Sequence, residues 1–136
     1  MKQFSTSSWI AGLGLFGLGV ATGLAARTLT DSPQRVEQKR VDLSGAPGME
    51  VIASIAEYKP GESIGLHIHH GIEAAYIVQG ASIQTVGGEP AKLSAGSTLL
   101  NLRDVKHGFK VVGDAPLKLF TVHIVDKGRP LYDYSR

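Results

Sequence analysis

Residues 61–80 read GESIGLHIHHGIEAAYIVQG, that is Gly61-x5-His67-x-His69-x3-Glu73-x6-Gly80. The stretch fits two apolar strands joined by a short polar turn. Pro60-Gly61 ahead of it is a turn signal, because proline presets φ and glycine accepts φ > 0. His67-Ile68-His69 sits inside the first strand pattern. Strand side chains alternate faces, so His67 and His69 point the same way and can share one ion. Glu73 follows the short loop His70-Gly71, which lets the chain bring a carboxylate to that same face. A lone His-x-His is modest evidence, and a single strand histidine is more often a surface or core residue.

Working outward, the same texture continues. Met49 to Tyr58 precedes the stretch. Ala74–Gln79, Ala81–Val86, Ala91–Leu93, Thr98–Leu102, Gly108–Val112 and Leu117–Val125 follow it, broken by Gly80, Gly87-Gly88 and other turn residues. No segment after residue 41 keeps a helical period over three turns. Regularly spaced short strands with Gly-rich turns predict an all-β sandwich or barrel. His107 arrives from a separate run, after the turn-like Arg103-Asp104-Val105-Lys106. Three neutral imidazoles and one carboxylate suit Fe(II), Mn(II), Ni(II), Cu(II) or Zn(II).

The spacing resembles the first motif of the cupin superfamily at every defined position, and Gly96-x10-His107 resembles the second. The second motif usually carries Pro, then Gly, before its His, and Asn after it. Here those positions are Leu102, Asp104 and Val111. Asp104 can take the turn through its own side-chain hydrogen bond. The resemblance implies a single-domain double-stranded β-helix (jelly-roll) barrel over 41–127. It also implies one divalent transition-metal ion on His67, His69, Glu73 and His107. It further implies a homodimer, often with an exchanged N-terminal strand, for which residues 41–49 are the candidate. The activities it brings are those of small metal-dependent enzymes: dioxygenases of the quercetinase kind, isomerases, lyases and decarboxylases. A non-catalytic module holding a metal or small ligand, and a tethered accessory domain, stand as alternatives.

Parity with the ligands names a pocket wall of Ser63, Gly65, Ala75, Ile77, Phe109 and Val111, suited to a small, partly apolar organic molecule. His123, in the last strong run, is the candidate general acid/base, its ordinary pKa lying near 6.5. His70 has the opposite parity from His69 and reads as a rim residue. Tyr76 reads as core or interface, and Lys92, Lys106, Lys110 and Lys118 as solvent-facing.

Ahead of the barrel, Lys2 is followed by an apolar run from Trp9 to Ala26 with no charge before Arg27. Small residues Gly23 and Ala25 stand at the −3 and −1 positions of a cut before Ala26. Residues 1–26 therefore read as a secretory signal, or, at the short limit for spanning a bilayer, as an uncleaved anchor. Either places the domain outside the cytoplasm, with membrane contact only if the segment stays. Residues 27–40 read as a polar linker and 128–136 as a tail packed on the surface. The chain has no Cys, which excludes disulfides and thiolate chemistry. Without Lys2 and Arg27 the charges balance at 12 Lys/Arg against 12 Asp/Glu. No basic run interleaved with aromatics remains, so nucleic acid is not an expected partner.

Overall fold

The computed structural model describes residues 31–135. The expected N-terminal signal or apolar helix lies outside the described residues, and no helix occurs among those described.

Among the described residues, nine strands form two antiparallel sheets. In chain order they are β1 (Arg35–Asp42), β2 (Met49–Tyr58), β3 (Ser63–His67), β4 (Gly71–Gln79), β5 (Ala81–Thr85), β6 (Pro90–Leu93), β7 (Thr98–Asn101), β8 (His107–Val111) and β9 (Leu117–Asp126). One sheet runs β1-β2-β9-β4-β7 and the other β3-β8-β5-β6. Non-consecutive neighbours such as β2 and β9 are the crossovers of a jelly roll, so the all-β expectation holds. The two inner faces enclose a core built around Ile52, Ile77, Val111, Leu117 and Leu119. Strict alternation puts Ile52, Ser54, Ala56 and Tyr58 of β2 inward, while Val51, Ala53 and Ile55 face out.

Two expectations are corrected here. The polar linker over 27–40 gives way, from Arg35, to edge strand β1, paired with β2 from Arg35↔Ala56 to Asp42↔Glu50. An edge strand with one face to water can be almost wholly charged, which hid it from a search for apolar runs. Arg35 alone turns its side chain deep inside, where it pairs with Asp31 and bonds Ser54 Oγ. The C-terminal tail is not a surface appendage either. Leu131, Tyr132 and Asp133 are buried, and Asp133 bridges Ile68 through two main-chain hydrogen bonds of 3.0 Å.

The pairing of β3 with β8 contains a β-bulge. Ile64 pairs Phe109 and His67 pairs His107, so three steps on β3 match two on β8. An extra residue inverts side-chain parity across the bulge. Ile64 and His67 therefore both point inward, and Gly65 and Leu66 are left exposed between them. Gly108 permits this: a Cβ there would stand 2.8 Å from the Gly65 carbonyl oxygen.

Candidate metal centre

Four elements deliver the polar side chains to one end of the barrel. β3 and the residues after it carry His67 and His69, β4 carries Glu73, β8 carries His107, and β9 carries His123. Register explains the convergence. His67 pairs His107 across one sheet, and Glu73 pairs His123 on one side and Asn101 on the other across the second. The imidazoles of His67, His69 and His107 have ligand-capable nitrogens within 4.8 Å of one another, and so do His69, Glu73 and His123. The structure thus brings together His67, His69, Glu73 and His107, with His123 beside them.

The main chain sets the tautomers. His67 Nδ1 lies 2.8 Å from the Gly65 carbonyl, His69 Nδ1 2.5 Å from that of Leu131, and His107 Nδ1 2.9 Å from that of Val105. A carbonyl can only accept, so each Nδ1 carries the proton and each Nε2 presents a lone pair. Those lone pairs meet: His67 Nε2 and His69 Nε2 are 3.3 Å apart. Glu73 Oε2 stands 3.3 Å from His69 Nε2 and 3.5 Å from His107 Nε2. Its Oε1 is 3.4 Å from His123 Nε2, and Asn101 donates to Oε2 at 2.7 Å. His107 Nε2 and both ring nitrogens of His123 are buried without a hydrogen-bond partner among the described residues.

Buried polar atoms left unpaired cost roughly 1–3 kcal/mol each, and facing lone pairs repel. A shared cation removes both penalties for the atoms it binds. The donor set fits a first-row divalent ion on chemical grounds as well, combining imidazole nitrogens with one carboxylate. Electrostatics agree. Burial would raise the Glu73 carboxyl, but the close imidazoles of His107, His123 and His69 outweigh it and hold the group well below its ordinary range. Burial pushes the His67 imidazole down to about 4 and lowers that of His123, so both stay neutral and free to use a lone pair near neutral pH. Burial also works to lower His107, but its contact with Glu73 prevails and raises it.

Of the six pocket-wall expectations, the bulge overturns two. Ser63 and Gly65 share formal parity with His67, yet both are exposed on the outer side, and Ile64 takes the inward place. Ala75, Ile77 and Val111 do face inward, where they are packed into the core. Phe109 is half-buried against Tyr58, with ring centroids 5.0 Å apart. Ser63, Gly65 and Phe109 line instead a cavity of about 350 Å³ with Gln84, Thr85 and Lys110, which none of the clustered histidines borders.

His70, expected at the rim, is buried. Its Nε2 is 2.9 Å from Asp133 Oδ2 and its Nδ1 3.2 Å from Asp104 Oδ1. It turns away from the cluster, as parity requires, and ties the C-terminal segment to the loop before β8. Two contributors escaped the sequence reading. Asn101 belongs to no motif and only cross-strand register reveals it. The C-terminal segment supplies the carbonyl of Leu131 and the ring of Tyr132, whose centroid lies 4.9 Å from His67, 5.2 Å from His69 and 6.1 Å from His123. The run Leu131-Tyr132-x-Tyr134 was the available signal, an apolar and aromatic cluster where a solvated tail needs none.

A family model described as Cupin domain matches residues 54–123. No curated protein matches the chain by sequence. Among solved structures, a cupin domain from Bordetella pertussis Tohama I is similar at 15% identity and TM-score 0.52, over 69% of this chain and 96% of its own. A conserved protein with a double-stranded β-helix domain from Klebsiella pneumoniae is similar at 16% and 0.54, over 77% and 89%. The polyketide cyclase RemF from Streptomyces resistomycificus is similar at 18% and 0.55, over 76% and 73%. Likeness at that level of identity speaks for the fold alone.

Proposed function

The chain belongs to the cupin domain family, and from that premise we propose that His67, His69, Glu73 and His107 hold one divalent transition-metal ion used on a small organic molecule. The observation that carries the reading is the set of three imidazoles whose Nδ1–H groups are spent on main-chain carbonyls while their Nε2 lone pairs face a common point. Iron, manganese, nickel, copper and zinc all accept this donor set.

Such an ion supplies Lewis-acid polarisation of a ligand oxygen, and iron or copper adds redox capacity. The protein's own part is orientation and proton handling. Asn101 pins one carboxylate oxygen of Glu73, leaving the other toward His123. His123, fully buried and kept neutral by burial, can exchange a proton with Glu73 Oε1 across 3.4 Å. Tyr132 covers the imidazoles and limits water. A dioxygenase-like reaction is the leading form, with isomerase or lyase chemistry behind it. The apolar run over residues 9–26 supports export to the periplasm or beyond, with a membrane tether if that run stays attached.

A second reading is a non-catalytic module that sequesters a metal or small ligand. The tight cover favours it, since His67 and His69 are 2% and 0% exposed. Elemental analysis of the full chain from its native compartment, followed by oxygen uptake with a panel of phenols and sugars, separates the two. Bound iron or copper with substrate-dependent oxygen consumption supports the enzyme. A bound ion with no exchangeable water and no turnover supports the module. A chain that takes up no ion refutes the enzyme and the metal-holding form of the module.

A further inference from the structure

An ion on His67, His69, Glu73 and His107 satisfies His107 Nε2. It leaves Thr121 Oγ1 and His123 Nδ1 as they stand, buried without a hydrogen-bond partner among the described residues. Thr121 is 2% exposed and His123 0%. The two sit on the same inward face of β9, two residues apart. Cross-strand register sets Thr121 between Ser54 of β2 and Ala75 of β4, one row from His123 and Glu73. The next row, Ala56, Leu119 and Ile77, is wholly apolar and belongs to the core. A hydroxyl-bearing row therefore separates the imidazoles from the core. Valine would fill the place of Thr121 with the same shape and no unpaired atom, at a gain in stability. Sequences break such local rules mainly where function requires it.

Each polar group in this row has a defined capacity. Ser54 Oγ accepts a hydrogen bond from Arg35 Nη1, which leaves its own O–H to donate. Thr121 can donate and accept. Glu73 stays ionised, with its Oε1 3.4 Å from His123 Nε2, so the proton of the neutral imidazole belongs on Nε2 and Nδ1 presents a lone pair. Two hydroxyl donors beside one nitrogen acceptor match a group that both accepts and donates. A neutral hydroxyl does this. A carboxylate has no hydrogen for Nδ1, and the guanidinium that could draw it is already held by Asp31 and Glu37.

We infer that Ser54, Thr121 and His123 form a hydroxyl-recognition subsite, and that the small molecule taken into the barrel is a neutral alcohol or phenol. Its body is apolar, since Ile52, Ala75 and the ring of Tyr132 flank these groups. The inference rests on the reading that the barrel takes a small organic molecule, but not on the ion. A trapped water has the same donor and acceptor capacity, so the subsite must show itself by preference among ligands.

Fluorine magnetic resonance on the full chain supplies that comparison with probes of similar size: 4-fluorophenol, 4-fluorobenzoate and 4-fluorotoluene. The first binds roughly 10-fold tighter than either of the others. Thr121→Val keeps the shape, removes the hydroxyl, weakens 4-fluorophenol about 10-fold and leaves the other probes unchanged. Thr121→Ser restores the affinity. Thr121→Val also raises the thermal midpoint of the ligand-free chain, because a buried unpaired atom is gone. A hydroxyl bonded within the fold, or to a resident water, gives a lower midpoint instead. Repeating the titrations after chelation separates the subsite from the metal centre. Dependence on Thr121 in a chain that holds no ion upholds the subsite even where the metal reading fails. An ion bound with 4-fluorophenol affinity indifferent to Thr121, no preference over 4-fluorobenzoate, or a lowered midpoint in Thr121→Val overturns the subsite and leaves the metal reading standing.

Discussion

Three imidazoles owe their usable nitrogen to a main-chain carbonyl apiece, and that dependence makes the cluster testable one residue at a time. His67→Ala or His69→Ala removes a ligand and its pinned tautomer together; isothermal titration with Co(II) or Zn(II) then shows at least a 100-fold loss of affinity. Asn101→Leu leaves every donor in place but frees Glu73 Oε2, which loses its 2.7 Å bond. The expected cost is a roughly 10- to 100-fold loss of affinity, the usual scale for removing a partner that orients a ligand. His70→Ala leaves metal content near that of the unaltered chain, since its ring is spent on Asp133 and Asp104. At this scale the sequence was generous with donors. The spacing from Gly61 to Gly80 named His67, His69 and Glu73, and Gly96-x10-His107 named His107. It was silent on Asn101, whose role exists only through the pairing Glu73↔Asn101. It misplaced Ser63 and Gly65, because counting by twos presumes an unbroken strand and a bulge is invisible in composition.

Elements carry those residues into place, and two local devices bear on the placement. Asp104 is the one non-glycine residue with positive φ among those described, at 60°, where the related motif usually has glycine. Its backbone N–H bonds the His69 carbonyl at 3.0 Å, so the turn before β8 is tied to the histidine segment. A β-branched residue has no local hydrogen bond to offset the left-handed conformation, so Asp104→Val destabilises the fold by about 1–2 kcal/mol, read by urea denaturation. Gly108 lets β8 approach the bulge of β3. Gly108→Ala drives a methyl into the Gly65 backbone and pushes His107 away from His67, lowering metal affinity more than fluorescence or dichroism change. The strands themselves were legible wherever one face was apolar. β2 spans Met49–Tyr58 as expected, and β9 adds one residue to the run from Leu117 to Val125. β1 was not legible, since Glu37, Gln38 and Lys39 face water and no apolar period survives.

At the scale of the molecule, the two sheets close over the cluster and the C-terminal segment seals it. Asp133 is central to that seal. Hydrogen bonds from Ser135 and then His70 lower its carboxyl to about 2. Arg40 likewise lowers Glu37, despite some opposing burial. A depressed carboxylate contributes stability that is complete above its unfolded value, near 4, and is lost as pH falls toward the folded one. The buried His67 and His123, both lowered from near 6.5, add a loss that begins below about pH 6.5, so thermal unfolding midpoints should hold steady only above about pH 7, decline below it and drop further between about pH 4 and 2. The Asp133→Asn variant should begin less stable at neutral pH and show a flatter fall. An equal slope in both proteins contradicts the role given to the seal.

The four-ligand centre is tested most directly by counting metal and imidazole nitrogens on the full chain loaded with copper, using elemental analysis and pulsed electron paramagnetic resonance. One ion per chain with three coordinated imidazoles, falling to two in His107→Ala, is the expected result. No bound ion, or an imidazole count that ignores the loss of His107, contradicts the account.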